Sequence, residues 1–360
     1  MADTPHMQYE LLKYLRCPIT KTPLRLELIS GFEKRYADKI ITEVNEGILF
    51  SETGFVFPII KGVPRMLIES IYDYSDFLKT KLPDYQQIKT RLETQYESLL
   101  KNCIQKNKRT KASFEFEWSF LSADKKDKIW HEDIAALQTV FLQEMGEGSA
   151  YFRNKTVLDA GCGHGLMTSK IAEISKLAIG VELSKSIENA FLNNKSSNAW
   201  YIQGDVQFLP FEDRTFDVLY SSGVIHHTNN TELSLSLIEP LIKKQGRICL
   251  WLYHPQKNFV HNSILFLRNL TKRMPVKLTF LFLTVFVFPI TYTIKKIKNK
   301  RGINYREEII DLLDGFTPEF RYEIPHEVVV TWLKERKFDN IKITTTNQFG
   351  FSIAADKQDD

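Results

Sequence analysis

Three carboxylates, a glycine run and a pair of histidines are the residues of this sequence best suited to chemistry. Asp159 stands before Ala160-Gly161-Cys162-Gly163-His164-Gly165, Glu182 follows 21 positions after Gly161, and Asp205 closes the next apolar run. Glycines let a backbone approach a ligand closely, and a helix starting behind them offers free amides. A dinucleotide turn uses the same device to hold a pyrophosphate. Asp159 would repel that anion and favours a cation instead. An acid in the position of Glu182 suits two ribose hydroxyls, and Asp205 suits an exocyclic amine. Histidine as a residue type titrates near neutrality, so His226 and His227 are the candidates for a general base.

These side chains need strands that end together. Lys155-Thr156-Val157-Leu158-Asp159 reads as a short apolar strand, and Leu166 to Ser175 as a helix with Met167, Ile171 and Ile174 on one face. Ala178-Ile179-Gly180-Val181-Glu182, Trp200 to Val206, Phe216 to Ser222 and Arg247 to Tyr253 continue as strands, the fourth opening into Gly223-Val224-Ile225-His226-His227. Late in the chain, Pro325 to Lys334 reads as a helix with proline in its first turn, followed by strands at Ile341 to Thr346 and Gly350 to Ala355. Alternating strands and helices of this kind predict an α/β fold.

The succession V-L-D-A-G-C-G-x-G, G-V-E-L-S, G-D-V-x-x-L-P-F, F-D-V-L-Y-S-S-G-V-I-H-H-T and G-R-I-C-L-W-L-Y resembles the class I S-adenosylmethionine-dependent methyltransferases over about 100 residues. The resemblance implies a Rossmann-like seven-stranded mixed sheet with helices on both faces. It also implies S-adenosylmethionine bound by Asp159, Gly161, Gly163, Glu182, Leu183, Asp205 and Val206. Cys162, a small filler in the turn, and Ser222, at the fourth strand end, join that set. Tyr253 is placed to orient a substrate, and Trp118 with Glu117 to cover the bound molecules. One position departs from the family pattern: Gln245-Gly246 leaves a single glycine for the turn before the fifth strand.

The N-terminal stretch is different in kind. Leu24 to Leu28 and Gly54 to Ile60 alternate like short half-buried strands, and Lys61-Gly62-Val63-Pro64 reads as a turn. The run from Leu11 through Cys17-Pro18, Thr22-Pro23-Leu24 and Phe57 to Leu67 is similar to the small zinc-ribbon-like family that includes a methyltransferase activator subunit. Thr20 stands where the second zinc cysteine would be, and the second knuckle is missing. One cysteine does not make a four-ligand site, so no metal is expected. The module serves either to dock a partner or as a structural addition. Tyr72 to Asn107 reads as helix, interrupted at Ser113 to Phe120, with a second helix around His131 to Met145.

The chain has 48 Lys and Arg against 44 Asp and Glu, but the balance is uneven. Residues 255–306 hold 11 basic residues and no acid, which leaves the remainder at −7. That excludes a generally basic nucleic-acid binder. Within this stretch, Leu278 to Ile294 carries no charge; Lys272, Arg273 and Lys277 precede it, and Lys295, Lys296, Lys298, Lys300 and Arg301 follow. Seventeen residues is the lower edge for a bilayer span, and both flanks must return to one sheet. A helical cap over the active site or an interfacial element at a lipid surface fits better. Scattered Cys17, Cys103, Cys162 and Cys249 suggest a reducing compartment, and Met1 to Arg16 does not read as a secretory signal. The protein is therefore expected in the cytoplasm, with peripheral membrane contact through 278–294 as the variant.

The sequence thus predicts a degenerate zinc-ribbon-like module (1–70), a helical linker (71–150), a methyltransferase core (151–254), a basic-apolar cap insertion (255–322) and the closing elements of the core (323–360). The expected reaction is methyl transfer to an oxygen, nitrogen or carbon of a small or amphiphilic metabolite in biosynthesis. Ser221-Ser222-Gly223 replaces the Asn-Pro-Pro or Asp-Pro-Pro motif used on exocyclic amines of bases, and there is no Pro-Cys dipeptide for attack on a cytosine ring. The rivals are an RNA or protein methyltransferase and a non-catalytic cofactor-binding subunit.

Overall fold

A computed structural model describes residues 7–119, 128–129, 132–256, 259–297 and 305–359. The expectations for Phe120, His131, Lys298, Lys300 and Arg301 lie outside the described residues.

After helix α1 (Met7–Leu12), strands β1 (Arg25–Arg35), β2 (Ile40–Phe50), β3 (Val56–Ile60) and β4 (Val63–Pro64) form a separate antiparallel sheet. Lys61 and Gly62 both take positive φ (51° and 80°), the geometry a tight hairpin between β3 and β4 requires. Short helices α2 (Ser70–Asp73) and α3 (Ser75–Lys81) lead to α4 (Tyr85–Trp118), which kinks at Tyr96. A two-residue hairpin, β5 (Lys128–Ile129) with β6 (Glu132–Asp133), precedes α5 (Leu137–Met145).

The interruption expected at Ser113 to Phe120 does not occur: α4 runs helical through Trp118. The alternating aromatics imitate strand spacing, but each finds its own partner from the helix. Phe114 packs on His227, Phe116 on Phe280 and Trp118 on His164, at centroid separations of 5.6, 5.1 and 4.7 Å. Tertiary packing overrides the local pattern.

The core sheet contains β7 (Thr156–Ala160), β8 (Leu177–Glu182), β9 (Ala199–Gln203), β10 (Phe216–Ser222), β11 (Ile242–Tyr253), β12 (Phe338–Thr346) and β13 (Gly350–Lys357). Their order is β12-β13-β11-β10-β7-β8-β9. The first five strands in sequence run parallel, and β13 is antiparallel to its neighbours β11 and β12. Successive strand residues alternate between two apolar clusters, Val157, Ala178 and Val218 in one and Leu158, Ile179 and Leu219 in the other. The sheet is thus buried on both faces, as a parallel sheet requires. Helices α6 (Leu166–Ala172), α7 (Ile187–Asn193), α8 (Thr231–Ile238) and α13 (His326–Glu335) connect or cover the strands. Pro325 caps α13 from just outside rather than sitting in its first turn. Gln245, standing where a glycine is more usual, itself adopts φ 58°.

The N-terminal module seals the β9 edge. Arg65 bridges to Gln203 in parallel register, the Met66 amide donates to the Gln203 carbonyl at 2.7 Å, and the fully buried Arg65 guanidinium pairs with Glu188 at 2.7 Å. An open strand edge is a liability for aggregation, and this one is covered. Cys17 is buried, 4.0 Å from the Thr53 hydroxyl.

The insertion is helical: α9 (Phe259–Thr271), α10 (Val276–Phe282), a π-helical segment Leu283–Val287, α11 (Phe288–Ile297) and α12 (Tyr305–Phe316). Leu283, Leu312 and Phe316 form its small core. Arg109 of α4 ties it down by donating to the carbonyls of Thr317, Met274 and Thr271.

Candidate active site

The C-terminal ends of β7, β8, β10 and β11 converge with the N-terminal half of the site made by the glycine turn. Gly161 takes φ 93° and Gly163 φ 55°. A Cβ on Gly161 would meet Val224 at 2.2 Å, and one on Gly163 would meet Trp118 at 2.7 Å. Only glycine fits either place. Trp118, half-buried, lies over this turn and stacks on His164. It therefore belongs with the glycine turn, while Tyr253 stands with the histidines.

Asp159 is buried and accepts a hydrogen bond from Thr168 Oγ1 at 2.5 Å. Burial pushes its carboxyl up to about 7, against the pull of that hydroxyl. Glu182 accepts from the amides of Gly163 (3.2 Å) and Ser184 (2.8 Å), and burial raises its carboxyl as well. The expected strand from Trp200 to Val206 ends at Gln203, so Asp205 lies in the loop beyond. There one Asp205 oxygen takes the Gln207 amide, and the other takes Lys106 Nζ at 2.8 Å and Asn107 Nδ2 at 3.1 Å. These last donors come from α4, and Asn107 also reaches Glu69 at 3.0 Å.

Leu183 is half-buried and its carbonyl accepts from Gln203 Nε2; Val206 is buried. Cys162 is buried and burial raises its thiol, so it fills space rather than attacks. The Ser222 hydroxyl lies within bonding reach of Glu144, on the Tyr220 side of β10.

A second cluster stands at the ends of β10 and β11. His226 is completely buried, with ring centroids of His227 at 4.4 Å, Tyr253 at 4.5 Å and Trp251 at 5.9 Å. Among the described residues neither of its ring nitrogens has a hydrogen-bond partner, and burial holds the imidazole well below its ordinary value, so it is neutral. His227 is differently placed: Nδ1 is 2.9 Å from the Phe320 carbonyl and Nε2 is 3.4 Å from Asp314. The Tyr253 hydroxyl donates to Asp314. Burial works to raise the Asp314 carboxyl, but His227 and Tyr253 outweigh it and hold the group well below the usual range. Arg321 lies over the Tyr253 ring at 4.0 Å.

Sequence reasoning missed Asp314 and Arg321. Both come from the far end of the insertion, with no motif to mark them. It also passed over His164, whose ring nitrogens are buried with no hydrogen-bond partner among the described residues and whose imidazole burial lowers to about 4.

Glu117 links the two clusters. It is buried, and its Oε2 has no hydrogen-bond partner among the described residues. Burial and then the neighbouring Asp314, Asp311 and Glu182 push its carboxyl well up. Four acids sharing one buried region favour a cation between them.

A family model described as "Methyltransferase domain" matches residues 158–250. That span holds the glycine turn, Asp159, Glu182, Asp205 and both histidines. Among curated relatives, a ubiquinone biosynthesis O-methyltransferase of Coxiella burnetii is 26% identical over 99 residues, covering 27% of this chain and 42% of that protein. A ubiquinone/menaquinone biosynthesis C-methyltransferase of Teredinibacter turnerae is 29% identical over 104 residues, covering 26% and 40%. The chain thus spans about two-fifths of the length of these relatives. Among solved structures, the magnesium protoporphyrin IX methyltransferase of Synechocystis aligns with a TM-score of 0.42 and 14% identity, over 70% of this chain and 98% of that one.

The cofactor of the methyltransferase domain is S-adenosylmethionine, and the residues fit it. Gly163, with no side chain of its own, lets the turn lie directly against the Trp118 indole at one wall of the site. Burial raises the Asp159, Glu182 and Glu117 carboxyls, and a sulfonium and an ammonium entering beside them would favour their ionised forms, so that binding and ionisation reinforce each other. When bound, S-adenosylmethionine supplies an electrophilic methyl group.

Proposed function

We propose that this chain is an S-adenosylmethionine-dependent methyltransferase acting on a small or amphiphilic acceptor. In this reading Glu182 holds the ribose hydroxyls, Asp205 shares itself between the α4 donors and the adenine amine, and Asp159 with Glu117 faces the positive charge. Gly161, Cys162 and Gly163 form the close-approach turn, Leu183, Val206 and Ser222 line its sides, and Trp118 covers it. The acceptor binds beside His226 and Tyr253. Alignment and exclusion of water carry most of such a reaction, together worth roughly 7–11 kcal/mol.

The observation that carries the reading is the division of labour between the histidines. His227 is held at Nδ1 by the Phe320 carbonyl and has Asp314 3.4 Å from Nε2, an ion-pair contact without a hydrogen bond, whereas His226 is neutral with neither nitrogen partnered among the described residues. His226 is therefore the group that takes the proton an acceptor hydroxyl or amine loses, at one ring nitrogen. His227 and Asp314 hold its surroundings and Tyr253 orients the acceptor. The N-terminal module is engaged in covering the β9 edge, which supports a small acceptor over an RNA or protein one.

Purified protein with methyl-tritiated S-adenosylmethionine and separate lipid, polar-metabolite, RNA and protein fractions of a cell extract tests this. Label is expected in the small-molecule or lipid fraction and is lost in His226→Ala. Label only on RNA or protein would overturn the acceptor class.

A further inference from the structure

The insertion turns a second face away from the site just described. Val276–Ile294 is apolar enough and long enough to cross a membrane by length and composition, with a mean hydropathy of 1.7, yet only 11% of it is buried. Its inward side is used: Thr279 and Leu283 are buried, Phe280 packs on Phe116 of α4, and Val287 and Phe288 pack on the core formed with α12. This inward side packs on the charged helices α4 and α12, and a crossing would carry their charges into hydrocarbon.

The outward side is an apolar stripe. Leu278, Leu281 and Val285 are exposed before and within the π segment, and Ile290 (61%), Ile294 and Ile297 (77%) after it. On an uninterrupted α-helix these two sets would stand apart by roughly 140°. The π segment Leu283–Val287 adds the equivalent of about one residue, turning the second set back by roughly 100°. The two sets then share one side of a rod about 30 Å long. Phe286 at 61% exposure and, on α9, Phe266 at 68% add aromatic surface to the same insertion.

Charge identifies what covers the stripe. Residues 255–306 contain no acid, and the exposed Arg273, Lys277 and Lys296 stand at the two ends of the rod. A cleft of about 540 Å³ opens where α10 begins, with Phe116 and Val276 in its lining and three cations, Lys108, Arg109 and Lys277, against one acid, Glu319. Apolar residues along a flat rod with cations at both ends match an anionic lipid surface, apolar side into the acyl boundary and cations among the phosphates. A second copy of this chain would bring an equally basic face against this one.

We infer that the α10–α11 rod is a monotopic membrane-docking surface, bedding its outward stripe into an anionic lipid leaflet while its inward side keeps Asp314 at the active site. This goes beyond the proposed methyl transfer. It is tested without cofactor or acceptor, so its failure would leave that reading standing.

The experiment is co-sedimentation of the full chain with vesicles of phosphatidylcholine alone and of phosphatidylcholine with phosphatidylglycerol. Binding is expected to the anionic vesicles, weakened by salt. Leu281→Glu combined with Ile290→Glu changes only exposed side chains, and circular dichroism with a melting curve checks that the fold is kept. This pair is expected to lose roughly ten-fold or more of the partitioning. Arg273→Gln and Lys277→Gln are expected to lose roughly five-fold each. No binding to anionic vesicles, or binding unchanged in the glutamate pair, would overturn the inference. So would a concentration-dependent dimer of the wild type that the glutamate pair dissolves without any vesicle binding.

Discussion

The cofactor end of the sheet and the cap insertion handle charge in opposite ways. Asp159 and Glu182 at the strand ends and Glu117 of α4 are buried together, and burial raises all three carboxyls, so the pocket gains negative charge as a cation enters it. In the insertion, acids are absent for 52 residues and the apolar side chains face outward. One region is preorganised for a small cation drawn into it, the other for a broad anionic surface outside it. Asp314 is the point of contact. It leaves the insertion on α12 and enters the buried acid cluster, where His227 and Tyr253 compensate it. A site built by two such regions separates the steps that each controls, and variants should separate them too.

The largest effect is expected from Glu182→Ala. It removes an acceptor held in place by the Gly163 and Ser184 amides. Hydrogen bonds to a charged group are worth about 1.5–3 kcal/mol, so affinity for S-adenosylhomocysteine should fall by roughly ten- to hundred-fold in calorimetry. Vesicle binding should not change; if it does, the two regions are not separate.

Next comes the pH dependence set by Asp159, whose carboxyl burial raises to about 7. A cation binds better to the ionised form, so S-adenosylmethionine affinity should climb up to about ten-fold per pH unit below about pH 7 and level off above it. The same shift has the opposite sign for the free protein. The folded state keeps a proton that the unfolded chain releases at about pH 4, so this group's contribution to stability falls as pH rises from about 4 to about 7. Asp159→Asn should flatten both profiles. A wild-type profile already flat across this range would show that the group is ionised throughout.

Asp314→Asn cuts the tie between the regions. The folded-state carboxyl is held low, so its stabilisation is present above about pH 4 and lost as the group protonates in acid. A loss of about 1.5–3 kcal/mol is expected near neutrality, with the gap to wild type closing in acid, in melts followed by circular dichroism. A gap that persists in acid would point to packing rather than charge. The smallest effect is expected from Trp118→Ala. Losing an aromatic contact over the Gly163 turn is worth about 0.5–1.5 kcal/mol, and S-adenosylhomocysteine affinity should drop by roughly two- to ten-fold.

The two regions also differed in how much of them could be read in the sequence. The glycine turn, Glu182, Asp205 and the histidine pair are set by strand ends and the residues directly after them, so their order along the chain carries their geometry. Only local detail escaped there, such as Asp205 lying past the end of β9 and Gln245 accepting a left-handed conformation. The insertion is legible in composition but not in arrangement. Nothing near Asp314 in sequence marks it as a partner of Tyr253, 61 positions away. The π segment that aligns the outward stripe has no periodic signature, because it consists of a change of period. Phe114, Phe116 and Trp118 failed for a related reason: three contacts to three different elements keep a strand-like pattern helical. Strand β2 was overlooked because Glu43 and Asn45 break its apolar run; Glu43 is buried against the Tyr36 hydroxyl.

The central claim is that the acid-lined end of the sheet holds S-adenosylmethionine. Calorimetric titration of S-adenosylmethionine into the purified full chain, in two buffers of different ionisation enthalpy at about pH 6, tests it most directly. The expected result is saturable one-site binding with release of a proton, absent in Asp159→Asn. No saturable heat in either buffer, from folded protein, would contradict the account.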